Sequence, residues 1–128
     1  MLQFTIDNVE SFKKILYDSC IAHDSNFVDV KYQAEKDILN LEMYNPYFKT
    51  TLHLTFYNLE LFLVTKGREF GKHDEINIVC VEDDFSYLKD ILTNYSEVKE
   101  NFIYVTIETF AGDLFHIVAK TVGFEIIK

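Results

Sequence analysis

From Lys49 to Val64 apolar side chains recur at every second position, but the phase of the alternation changes midway. Leu52, Leu54 and Phe56 occupy even positions, whereas Leu59, Leu61 and Leu63 occupy odd ones. A period of two is the signature of a strand with one buried face. In a regular strand one of these two sets would have to face solvent, because a slip of one residue sends every side chain to the other side. The pattern therefore predicts a bulge or sharp bend at Tyr57-Asn58, dividing a strand over 50–57 from one over 59–65. A chain organised around such a segment must fold as a sheet that bends.

The rest of the chain is read in the same way, since only four glycines and one proline mark its breaks. Leu2, Phe4 and Ile6 alternate as a first strand. Asp7 precedes Glu10 by three, the spacing of a capping box. Val9, Phe12, Ile15, Leu16 and Ser19 or Cys20 follow at helical spacing, which predicts a helix over about 8–20. Val28, Val30 and Tyr32, then Leu39, Leu41 and Met43, alternate on either side of Glu35-Lys36-Asp37 and predict a hairpin. Asn45-Pro46 ends it. Beyond the central segment, Gly67 to Lys72 reads as a loop and Glu75 to Val81 as a strand. Asp83 or Asp84 is placed to cap a helix carrying Phe85, Leu88, Ile91, Leu92 and Tyr95. Phe102 to Phe110 pairs with the strand from Leu114 through Ala111-Gly112-Asp113. These readings predict an α+β fold, with two helices packed on a mostly antiparallel sheet of about eight short strands.

With 48% hydrophobic and 26% charged residues, the 128-residue chain has the composition of one globular domain, 1–128. Its two ends resemble one another. A shift of 76 aligns Asp7 with Asp83, Phe12 with Leu88, Ile15 with Ile91 and Leu16 with Leu92; a shift of 75 aligns Asn26-Phe27-Val28 with Asn101-Phe102-Ile103. Segments 1–44 and 76–120 thus read as two strand-helix-strand-strand halves flanking a central bent hairpin. Duplication and shared periodicity account for this equally well.

Charge excludes one large class of function. Acids outnumber bases 21 to 12, a net charge of −9, and Arg68 is the single arginine. A nucleic-acid reader needs a basic face and arginines to read bases, so nucleic acid is not an expected partner. Neither is an anionic membrane, and the most apolar stretch, Leu59 to Val64, is interrupted by Glu60. Cys20 and Cys80 form no disulfide framework. The start, Met1 to Asp7, lacks the basic and apolar regions of a leader, so the expectation is a cytoplasmic protein with reduced thiols. Asn94-Tyr95-Ser96 is then a coincidental glycosylation triplet.

No catalytic or cofactor signature emerges. Gly67-Arg68-Glu69-Phe70-Gly71-Lys72-His73 fails as a phosphate loop, with three residues between the glycines, His73 where a hydroxyl should hold magnesium, and a strand following. His23, His53, His73 and His116 have no metal-ligand spacing, and the reading is that they do not converge. His53 and His116, in strands, read as interface or half-buried polar groups. His23-Asp24-Ser25 places three catalytic residue types side by side, where they cannot face one another; Asp24 and Ser25 are expected to bond local backbone. Cys20 and Cys80 fall on apolar positions and read as core. Tyr44, Tyr47, Phe48 and Tyr57 cluster around Pro46 as core packing, with an exposed surface for a partner or for self-association as the other reading.

The densest acidic run, Glu82-Asp83-Asp84, ends a strand and opens a helix, where the helix dipole favours negative charge. The leading functional reading is a non-catalytic protein-binding module: an inhibitor, an immunity-type antidote to a basic toxin, or an adaptor. It takes no cofactor and no metal, and its partner is a basic protein. Glu82, Asp83, Asp84 and Asp90 form the expected contact surface. The second reading is a small-molecule or metal-dependent binding protein or enzyme with a site at strand ends. The third is a subunit of a homo-oligomer.

Overall fold

The computed structural model describes residues 1–19, 21–67 and 73–128. Seven strands, β1 (Leu2–Phe4), β2 (Asn26–Gln33), β3 (Ile38–Asn45), β4 (Thr50–Thr65), β5 (Ile76–Glu82), β6 (Ile103–Thr109) and β7 (Leu114–Ile127), form one antiparallel sheet. Two helices, α1 (Val9–Ser19) and α2 (Tyr95–Asn101), pack on it. The fold is α+β. Strand order is β2-β3-β4-β7-β6-β5, with β1 added to β7. The two end strands of that path meet at one corner. There Asn26 bridges Glu75, and Phe27 N–H donates to the Asp74 carbonyl at 2.8 Å. The sheet is thus rolled around its own core.

Cross-strand register explains what the roll encloses. Leu39, Phe56, Val122 and Phe4 lie in one row, and Leu41, Leu54 and Phe124 in the next. All are buried, as are Phe12 and Leu16 of α1, which fill the concave side. Phe12 stacks on Phe4 with ring centroids 5.2 Å apart. The start of α1 departs from the Asp7–Glu10 box read from sequence. Thr5 and Asn8 form the capping box instead, on a single 3₁₀ turn, Ile6–Asn8, that leads into the helix. Thr5 can do this because β1 ends at Phe4, so Ile6 lies beyond the strand.

The central segment is one continuous strand, which is why the described residues hold seven strands and not eight. Its phase change is real and is accommodated in two places. Asn58 takes a left-handed conformation (φ 52°), which asparagine tolerates better than most residues. Between Phe56–Val122 and Leu59–Ala119 the core-facing positions step by three residues in both β4 and β7. A bulge between Leu59 and Leu61 then re-phases β4, pairing Phe62 with Ile117 over the main core and Leu61 with Val118 on the opposite face. β3 leaves the ladder at Phe56, so the far half of β4 pairs with β7 alone.

The predicted helix after Asp84 is not formed. Ser86–Leu88 makes one 3₁₀ turn, turns follow, and α2 begins only at Tyr95. Asp84 therefore caps no helix; its carboxylate accepts from Ser86 N–H at 2.8 Å and holds a local turn. Phe85, Leu88, Leu92 and Val98 remain apolar anchors, packing with Phe102, Tyr104 and Val118 on the outer face of β6 and β7. The helical pieces of the two halves of the chain consequently lie on opposite faces of the sheet.

Where β4 leads into the connection to β5, a polar hub ties loops together. Asp113 is buried and accepts from Gly67 N–H (2.7 Å) and Thr109 Oγ1 (3.0 Å), with His73 Nδ1 at 2.5 Å. Gly67 can approach this closely because it lacks a Cβ, which would overlap the Ala111 carbonyl and the backbone after it. The remainder of the glycine loop, Arg68 to Lys72, and Cys20 lie outside the described residues.

Candidate functional site: an acidic, aromatic cleft on the outer sheet face

Alternation along β5, β6 and β7 gives their outer face a polar lattice. Val79, Val81, Val105, Ile107 and Ile117 point into the main core, so their neighbours point out. Register sets these outer residues in rows: Ile78, Glu108 and Leu114; then Cys80, Thr106 and His116; then Glu82, Tyr104 and Val118. With Asp84, Ser86 and Tyr87 from the following turn, all of these but the buried Val118 line a cleft of about 390 Å³.

His116 is the centre of this arrangement. It is 2% exposed. Its Nδ1 lies 2.6 Å from the Tyr104 hydroxyl, and the Tyr87 ring stacks over the imidazole at 4.6 Å, nearly parallel. Nε2 is buried and has no hydrogen-bond partner among the described residues. Burial pushes the His116 pKa down, against the pull of Glu82, and so favours the neutral ring. Burial, reinforced by Glu82, Tyr87 and Asp84, pushes the Tyr104 phenol up to about 12. That hydroxyl keeps its proton and can donate it to Nδ1, which leaves the single imidazole proton on Nε2.

Three carboxylates, Glu82, Asp84 and Glu108, stand around this floor, and no Lys or Arg lines it among the described residues. Glu82 Oε1 accepts from Thr106 Oγ1 at 2.7 Å, which fixes its position on the sheet. The Ser86 N–H holds the Asp84 carboxyl below its usual range. Cys80 is half-buried on the cleft side and not in the core expected for it, because it occupies the outward phase of β5. Burial, with Glu82 and Glu108 nearby, pushes its thiol up and so disfavours the thiolate.

The acidic residues singled out from sequence divide. Glu82 and Asp84 reach the cleft. Asp83 turns to α1, where its carboxylate pairs with Lys13, and this pairing raises the Lys13 pKa. Asp90 lies on the exposed turn after Ser86–Leu88, off any helix and outside the cleft lining. His116 is read from sequence only as an interface or half-buried polar group, and Glu108, Tyr104 and Thr106 are not singled out there. Each carries the outward phase of its strand, but only the register places them together.

The histidines occupy separate surroundings. His23 pairs with Asp24 at 3.0 Å, His53 with Glu42 at 3.2 Å and His73 with Asp113. Among the described residues no group of three or more His, Cys, Asp or Glu stands in metal-holding geometry. Ser25, buried, donates to the Ile21 carbonyl, which holds the chain as it leaves α1. Tyr47 and Phe48 are exposed at 77% and 58%, outside the core expected for them, because they ride a turn with Lys49 at φ 52°. A second acidic row, Asp29, Glu42, His53 and Glu125, crosses β2, β3, β4 and β7. Among the described residues no helix is long and apolar enough to cross a membrane.

Fold and cleft together define a small α+β protein with a rolled antiparallel sheet and a carboxylate-walled outer cleft. No protein-family model matches the chain, and no curated protein matches it. Among solved structures it is similar to an uncharacterized protein from Neisseria gonorrhoeae, at 12% identity and a TM-score of 0.42, covering 80% of this chain and 91% of that one.

Proposed function

We propose that the chain is a non-catalytic binding module, a single domain of the inhibitor, immunity-type or adaptor kind, that engages a basic protein through the cleft on β5, β6 and β7. The observation that carries this reading is the grouping of Glu82, Asp84 and Glu108 around Tyr87, Tyr104 and His116, with no cation among the described lining residues. Carboxylates beside aromatic faces suit a cationic side chain, which gains both ion pairing and cation–π attraction. The net charge of −9 steers such a partner toward the protein. A binding role also fits the ionisation of the cleft, where burial works against forming a Cys80 thiolate nucleophile. The free thiol of Cys80 fits action in the reducing cytoplasm.

The test is quantitative affinity capture from a lysate of the source organism, with the wild-type protein and with the triple variant Glu82→Lys/Asp84→Lys/Glu108→Lys. A basic protein retained stoichiometrically by wild type and lost from the folded triple variant supports the reading. The same retained set on both baits overturns it.

A further inference from the structure

The orphaned His116 nitrogen narrows what the cleft accepts. The Tyr104 hydroxyl and Nδ1 satisfy each other only if the phenol donates. The opposite tautomer would leave both the phenol proton and the Nε2 lone pair without partners, whereas this one leaves a single N–H. The two imidazole nitrogens point in divergent directions, so Nε2–H is directed away from Tyr104. A buried donor without an acceptor is destabilising, and a ligand that supplies one relieves that cost. Three carboxylates line the same cleft, yet none bonds this nitrogen.

We infer that the cleft is a pocket for one arginine residue of a polypeptide, with the guanidinium among Glu82, Asp84 and Glu108 and a main-chain carbonyl of the same segment accepting from His116 Nε2–H. This rests on the basic-partner reading and deepens it. Guanidinium is favoured over ammonium because it is planar, stacks on aromatic rings and bonds carboxylates through two parallel N–H groups. It has no acceptor of its own. The acceptor for Nε2–H must therefore come from the rest of the ligand, and a peptide carbonyl supplies it where a simple organic cation does not. Tyr87, 57% exposed on a one-turn helix, stacks on one face of the imidazole and leaves the in-plane Nε2–H unbonded.

The experiment compares three probes on the full chain by calorimetry and nitrogen NMR: Ac-Gly-Arg-Gly-NH2, Ac-Gly-Lys-Gly-NH2 and N-butylguanidinium. The arginine peptide is expected to bind at least tenfold more tightly than butylguanidinium and more tightly than the lysine peptide. Its advantage over butylguanidinium should vanish in His116→Phe. Should that variant fail to fold, the wild-type imidazole serves: long-range nitrogen spectra should report the Nε2–H tautomer and a shift at Nε2 on adding the arginine peptide. Equal affinity for the arginine peptide and butylguanidinium, or an Nδ1–H tautomer, overturns the inference. Either result leaves the capture experiment to decide the broader reading separately. The same retained set on wild-type and triple-variant baits, with the pocket preference intact, would overturn the partner reading alone.

Discussion

The Tyr104 hydroxyl and His116 Nδ1 meet at 2.6 Å in a buried pair across adjacent strands. Removing the hydroxyl with Tyr104→Phe leaves His116 with neither nitrogen bonded, and the expected loss is about 1–3 kcal/mol of stability. Urea unfolding of wild type and variant measures it; an unchanged midpoint and slope would show the pair to be energetically idle.

The same histidine confers a pH dependence. Burial lowers its folded-state pKa, so the unfolded chain takes up the proton first as pH falls. The stability associated with neutral His116 is complete above about pH 6.5, and it declines below that until the folded-state pKa is passed. Unfolding free energies measured from pH 8 to pH 5 should fall less steeply in His116→Phe than in wild type.

How far the sequence could lead is clear from these residues. Alternation predicts that Val105 and Ile107 face one way and Tyr104 and Thr106 the other, and the phase change in β4 predicts a distortion near Asn58. Period alone does not say which strand lies beside which. Cys80, Thr106 and His116 come from three strands, and their shared row depends on register, a long-range property. The missing helix after Asp84 has a different cause. Phe85, Leu88, Ile91, Leu92 and Tyr95 match helical spacing, but burying Phe85 and Leu88 against Tyr104 and Val118 is achieved by a single 3₁₀ turn. Tertiary packing overrode the local period.

Asn58 tests the accommodation of the phase change. Asn58→Val places a β-branched side chain at φ 52°, and a cost of about 1–3 kcal/mol is expected. Asn58→Gly keeps the conformation accessible and should cost roughly 1 kcal/mol or less. Equal effects from both substitutions in thermal unfolding would argue against a conformational origin.

Asp113 tests the loop hub. Burial alone would raise its pKa, but the bonds from Gly67, His73 and Thr109 outweigh that and hold it below the usual carboxylate value. Its stabilisation is therefore full above about pH 3.9 and is lost as pH falls through the lowered folded-state pKa. Asp113→Ala should cost about 1–3 kcal/mol at neutral pH, because partners of a buried acceptor lose it. In acid titration the difference between variant and wild type should shrink.

Core and surface contributions separate at α1. Phe12 is fully buried, and Phe12→Ala should cost about 3–5 kcal/mol. Asp83, 83% exposed in its pair with Lys13, should cost less than about 1 kcal/mol as Asp83→Asn. Denaturation of both variants checks the contrast and indicates whether charge variants near the cleft remain folded.

The central claim is that cations bind the cleft on β5, β6 and β7 and not the negative surface at large. Backbone-amide NMR of the labelled protein, titrated with Ac-Gly-Arg-Gly-NH2, tests it most directly. The predicted result is saturable shifts concentrated at Cys80, Glu82, Tyr104, Thr106, Glu108 and His116. Shifts of equal size across the row of Asp29, Glu42, His53 and Glu125 would contradict it.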